Sequence, residues 1–262
     1  MSAYRFVELS REGAVAIVTL SDPGTLNAAS LTMVDELLDA LGRCASDGAR
    51  ALVMTGKGQG FCSGAKLSDA MNVDDPGYDA GKLLESHYNP LMLALRDLPM
   101  PFVTAVNGIA AGIGCGMALA GDLIVASETA SFLQPFRRIG LAPDSGTAFL
   151  LTRAIGRVRA MELLLLGDRL PAATALAWGL VSRVVPADQL MAEAMRLAQD
   201  LAAGPTIALK AARDQCWAAP GARFDEMLEL ERRHQYQAGR TADHREGLRA
   251  FLQKRPPRFT GA

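Results

Sequence analysis

The stretch FVTAVNGIAAGIGCGMALAGDLIVAS, residues 102–127, decides how the chain is organised. It opens on Phe102-Val103-Thr104-Ala105-Val106, a short β-branched run of the kind that forms a strand buried on both faces. Asn107-Gly108 breaks the run. Ala110-Ala111-Gly112-Ile113-Gly114 leads into a helical segment of small residues ending near Ala120, and Leu123-Ile124-Val125-Ala126 reads as the next buried strand. A glycine-rich turn at the mouth of a helix leaves backbone N–H groups without intrahelical partners, which suits a phosphate or an oxyanion. The phosphate readings fail, because no Gly-Lys-Ser/Thr follows and Gly112-Ile113-Gly114-Cys115-Gly116 lacks the dinucleotide spacing. Close packing of a helix on a sheet is the competing use of the same glycines.

Working outward toward the N-terminus, the runs at residues 6–9 and 14–20 flank Arg11-Glu12-Gly13 and predict a hairpin. Leu31, Val34, Leu37, Leu38 and Leu41 lie on one face of a helix over residues 31–43, with Ser30 as its N-cap. Residues 51–55 form the next strand. Phe61-Cys62-Ser63-Gly64-Ala65-Lys66-Leu67 is a second small-residue turn after a strand. Residues 71–82 are polar, contain Asp74-Asp75-Pro76-Gly77 and predict a loop. A helix is expected over residues 83–98, kinked or broken at Pro90.

Toward the C-terminus a short strand at residues 130–133 precedes a turn-rich excursion, Gln134 to Gly146, that ends in a helix from Thr147. Helices at 160–166 and 172–178 and a strand at 181–185 follow. Residues 190–203, 206–217, 223–238 and 243–255 are helical by pattern. Strands first and helices last predict an α/β core with a helical appendage.

At 262 residues and 50% hydrophobic, the chain buries a sizeable core. A net charge of −1 gives no electrostatic case for nucleic acid or an anionic membrane and points to a small-molecule partner. Cys44, Cys62, Cys115 and Cys216 form no CxxC pair, so neither a metal site nor a disulfide framework is expected and a reducing cytoplasm is the predicted compartment. No apolar run approaches membrane-spanning length.

The motifs FCSGAKL, AVNGIAAGIGCGMALAGD, IGLAPDSGTAFLL, GDRLPAATALAWGLVSRVV and EGLRAFLQKRPPRF, in this order between residues 19 and 259, resemble the crotonase, or enoyl-CoA hydratase/isomerase, superfamily. The resemblance implies a spiral of ββα turns over residues 1–195 carrying an acyl-CoA site, and a C-terminal helical oligomerisation region over 196–262 that packs in a homotrimer or a dimer of trimers. It implies an oxyanion hole from the backbone N–H groups of Ala65 and Ile113, and no cofactor beyond the coenzyme A of the thioester substrate. Ser63, Lys66 and Leu67, with Phe251 and Lys254 of the terminal helix, match positions that reach coenzyme A. As alternatives, Ala65 sits in a plain tight turn, Lys66 and Lys254 are solvated, and Phe251 is an ordinary helix position.

The family's hydratases place two glutamates over the substrate, and here those positions hold Gly116 and Phe136, neither of which moves a proton. Asp144 resembles in position the single carboxylate of the Δ3,Δ2-enoyl-CoA isomerases and the phenylacetyl-CoA epoxide isomerase subgroup, and the nucleophile of 4-chlorobenzoyl-CoA dehalogenase. That dehalogenase has histidine and tryptophan where this chain has Asn89 and Phe136. The resemblance therefore implies an isomerase that shifts a double bond or rearranges a ring epoxide, with a hydratase of unusual site and a non-catalytic acyl-CoA binder as alternatives. Asp144 also suits a helix N-cap.

Overall fold

The structure is a computed structural model and describes residues 4–66 and 77–262. Its elements, in chain order, begin with the antiparallel hairpin β1 (Val7–Glu12) and β2 (Val15–Leu20). Helix α1 (Leu31–Ser46) follows, capped by Ser30, whose side chain accepts from the Met33 N–H. Next come β3 (Ala51–Gly56), β4 (Gly60–Cys62), the helical turns α2 (Gly81–Leu83) and α3 (Asn89–Arg96), β5 (Phe102–Val106), β6 (Ile109–Ala111), α4 (Ile113–Leu119), β7 (Leu123–Ser127) and β8 (Ser131–Leu133). The chain closes with α5 (Thr147–Leu166), β9 (Leu170–Pro171), α6 (Ala172–Ala177), β10 (Arg183–Val185), α7 (Leu190–Ala203), α8 (Thr206–Ala218), α9 (Phe224–Ala238) and α10 (Ala242–Leu252).

Two sheets share these strands in alternation. One runs β1-β2-β3-β5-β7-β10 and the other β4-β6-β8-β9, so β3/β4, β5/β6 and β7/β8 each give one strand to each sheet before a helix. That is the expected spiral of ββα turns. Every pair is parallel except the hairpin and β8/β9. β3 and β5 are buried at every residue because both faces of the larger sheet are covered. Leu52, Met54 and Phe102 face the main core, while Ala51, Val53 and Val103 pack under α7.

Several sequence expectations change. Pro90 does not end its helix: residues 84–88 form a π turn in which Asn89 N–H bonds Leu84 O, and the proline sits in the first turn of α3. The glycine turns carry the short strands β4 and β6, three residues each, where the sequence reading placed turns. Residue 195 falls inside α7, whose Ala194, Leu197, Ala198 and Ala202 cover the large sheet, so the helices that stand apart from it begin at Thr206. The expected helices 147 onward and 160–166 are the two arms of α5, which bends at Gly156 (φ 78, ψ 160). Of the loop expected over 71–82, residues 71–76 lie outside the described residues, as does Leu67; residues 81 and 82 are helical.

Candidate active site

The two glycine bends face each other. Gly64 (φ 111) and Gly112 (φ 51) both hold conformations that disfavour a side chain. A Cβ added to Gly64 would lie 3.3 Å from Ala111 O, and one on Gly112 would lie 3.9 Å from the Gly64 Cα. The residues that follow, Ala65 and Ile113, are therefore neighbours across the gap between β4 and α4. Among the described residues neither the Ala65 N–H nor the Ile113 N–H has an acceptor, the latter because it opens α4. Two backbone amides on facing bends are thus left with no protein acceptor among the described residues.

Packing behind the bends keeps them rigid. A Cβ on Gly114 would stand 2.3 Å from Cys62 O, so α4 lies directly on β4. Gly112 N–H donates to Leu133 O at 3.0 Å. Residues 22–29 strap the other side: Ala29 N–H donates to Gly64 O at 2.8 Å, Lys66 N–H to Ala29 O at 3.1 Å and Ser63 N–H to Leu26 O at 3.0 Å. Asn27, fully buried with φ 59, ties this strap to the β3–β4 turn through Lys57 O and Gly60 O. The sequence reading missed Asn27. An asparagine three residues past the Asp22-Pro23-Gly24 turn is the signal that marks it, since asparagine tolerates the left-handed region.

Asp144 comes to the same helix from the opposite side. Its neighbour Ser145 is 2% exposed and holds φ 52, and a Cβ on Gly116 would meet Ser145 O at 2.9 Å and Ser145 Cβ at 3.0 Å. Gly116 lies three residues, about one turn, past Ile113. The Asp144 carboxyl does not cap α5, because that work falls to its backbone oxygen, which accepts from Thr147 N–H at 3.0 Å and Thr147 Oγ1 at 2.8 Å. The half-buried side chain accepts from Ser145 Oγ at 2.8 Å; burial pushes its pKa up and the serine hydroxyl draws it down.

Phe136 forms the roof. Its Cζ is 3.8 Å from a Cβ position on Gly112, and the ring is buried. Arg137 and Arg138 hold that segment against the end of α5 by donating to Leu165 O and Gly167 O, each at 2.9 Å. Phe149 stacks on Trp217 (6.4 Å) beneath Arg153, in a separate apolar cavity of about 510 Å³ between α5 and α8.

The residues expected to reach coenzyme A are dispersed on one chain. Ser63 Oγ donates to Thr25 O at 2.7 Å, and Lys66 Nζ lies 3.8 Å from Asp22 and 5.7 Å from the Phe6 ring centroid. Phe251 is 80% exposed on α10, and Lys254 follows it with φ 53. Burial pushes the Cys62 thiol to about 11 and Cys115 to about 12, which keeps both inert beside the bends. Among the described residues no three His, Cys, Asp or Glu side chains gather as metal ligands, and no helix is long and apolar enough to cross a membrane.

The chain was compared with known proteins. Residues 10–262 match the family model described as enoyl-CoA hydratase/isomerase. The 1,2-epoxyphenylacetyl-CoA isomerase of Escherichia coli (strain K12) is 44% identical over 95% of this chain and 96% of its own. A trans-2-decenoyl-acyl-carrier-protein isomerase of Streptococcus mutans is 33% identical over 95% and 96%. The crystal structure of enoyl-CoA hydratase from Bacillus anthracis superposes with a TM-score of 0.91 at 30% identity, covering 98% of this chain and 100% of that one. With the paired glycine bends, the alternating sheets and a match over all but the first nine residues, the chain belongs to the enoyl-CoA hydratase/isomerase, or crotonase, family.

Proposed function

We propose that this protein is an acyl-CoA isomerase in which Asp144 shuttles one proton while the Ala65 and Ile113 amides hold the thioester oxygen. In the double-bond shift, the Asp144 carboxylate takes a proton from C2 of a 3-enoyl-CoA, the electron pair moves into a dienolate stabilised by the two N–H groups, and the same proton returns to C4 to give the 2-enoyl-CoA. Rearrangement of the ring epoxide of phenylacetyl-CoA is the related reaction suggested by the Escherichia coli relative. The observation that carries the reading is the Asp144 carboxyl, half-buried, free of helix-capping duty and bonded to Ser145, the residue that rests on Gly116 of α4, whose first amide is unpaired.

Conversion of 3-enoyl-CoA to the conjugated product, followed by ultraviolet absorbance, tests it. Asp144→Ala is expected to slow turnover by about 10²- to 10⁴-fold. An unchanged rate, or crotonyl-CoA hydration outpacing isomerisation, overturns the assignment. Coenzyme A is held, in this reading, by Ser63, Lys66 and Leu67, and by Phe251 and Lys254 of an adjacent copy, in a homotrimer or a dimer of trimers. Support for a second copy comes from the apolar side chains left uncovered on the C-terminal helices: Phe224 79%, Phe251 80% and Leu252 71% exposed. Four free cysteines suit a cytoplasmic location.

A further inference from the structure

The α4 helix has two glycines that touch the site, and they do different work. Gly114 meets β4, a structural contact. Gly116 meets the residue after Asp144. The atoms a side chain there would strike are Ser145 O at 2.9 Å and Ser145 Cβ at 3.0 Å, both on or next to backbone, whereas the third neighbour, Met92 Cε at 3.6 Å, is the end of a flexible chain that moves easily. Ser145 cannot retreat cheaply. It is 2% exposed, stands at φ 52 with Gly146 behind it at φ 69, and its hydroxyl is committed to Asp144 Oδ1 at 2.8 Å. A serine in the left-handed region is strained and persists when its surroundings leave no alternative.

From these contacts we infer that Gly116 is a positioning residue: its bare Cα is the seat on which the strained Ser145 turn rests, and through that turn it sets where the Asp144 carboxylate stands relative to the Ile113 amide. This rests on the isomerase reading above. The seat acts on the chemical step, because it fixes the proton carrier without touching the coenzyme A positions. A displacement of a catalytic group by about 1 Å costs up to about 100-fold in rate.

The test uses the full-length protein and the 3-enoyl-CoA assay. Gly116→Ala is expected to lower kcat about 10- to 100-fold with KM within about twofold of the parent. Ser145→Gly removes the Cβ and frees the backbone to shift, so the loss caused by Gly116→Ala shrinks several-fold in the Ser145→Gly background. Gly42→Ala, on the exposed face of α1 with nothing within 4 Å of its Cβ position, is the control for glycine replacement and keeps the parent kcat. Parent kcat in Gly116→Ala, or the same loss with and without Ser145→Gly, overturns the seat. If Gly116→Ala does not fold, Ser145→Val takes its place, since a β-branched residue cannot hold φ 52; it must fall at least about tenfold below Ser145→Ala in kcat, and equality of the two overturns the inference. Asp144→Ala in the same assay separates the two claims: if it alone is inactive the seat fails and the isomerase stands, and if it is fully active the reading beneath both fails.

Discussion

The glycine bends and the C-terminal helices treat apolar surface in opposite ways. Around the bends every residue of α4 is buried, and contacts are so close that Gly108 and Gly114 each leave under 2.5 Å between a would-be Cβ and a backbone oxygen. In α9 no residue is buried, and Phe224 and Leu228 lie open on the same face, four residues apart. The first region is finished within one chain. The second presents the kind of uncovered patch that another surface removes from water. Chemistry that depends on fixed amides belongs in the finished region, whereas a surface that serves association has to stay open in the single chain.

That contrast can be broken most sharply at Gly114. Gly114→Ala forces a Cβ to within 2.3 Å of Cys62 O, and we expect a stability loss of about 3 kcal/mol or more together with loss of turnover, read from urea unfolding and the isomerase assay. Parent-like stability would mean the bends are looser than their contacts imply. The opposite region responds in assembly rather than in folding. Phe224→Asp combined with Phe251→Asp should leave the far-ultraviolet spectrum and unfolding midpoint near those of the parent while light scattering shows the mass fall to that of one chain; a parent protein already at one-chain mass removes the case for a second copy. The smallest effect is on pH. The proposed proton shuttle needs Asp144 ionised, so the rate is expected to decline as pH falls through its raised pKa, and Ser145→Ala, which removes the hydroxyl that draws that pKa down, to move the acid limb to higher pH. A limb that stays in place, or moves down, disconnects Ser145 Oγ from the titration.

Much of the architecture was legible because burial imposes periodicity. The runs at 51–55, 102–106 and 123–126 are apolar but for Thr55 and Thr104 since helices cover both sides of the large sheet, and Ser30 announced α1 through a capping bond that depends only on local spacing. Pro90 misled because a π turn is a departure in hydrogen-bond register that has no side-chain period. Residue 195 misled because α7 carries a one-sided apolar stripe, and a stripe does not say which layer it will cover. At the site, Ala65, Ile113 and Asp144 were named from the family motifs, with the helix N-cap as the alternative role for Asp144. Only the Thr147 bonds to its backbone oxygen removed that role.

Composition and pattern alone gave the class of fold and most of the order of strands and helices, because these follow from local spacing and from the demand that apolar runs leave water, while Ala65, Ile113 and Asp144 were named by the resemblance to the family. Three-dimensional packing alone set how those residues meet: the close approach of the two bends, the Phe136 ring beside Gly112 and the Ser145 turn resting on Gly116. Those contacts join segments dozens of residues apart, and whether a glycine is a hinge, a filler or a seat depends on which atom occupies the space its missing side chain leaves free.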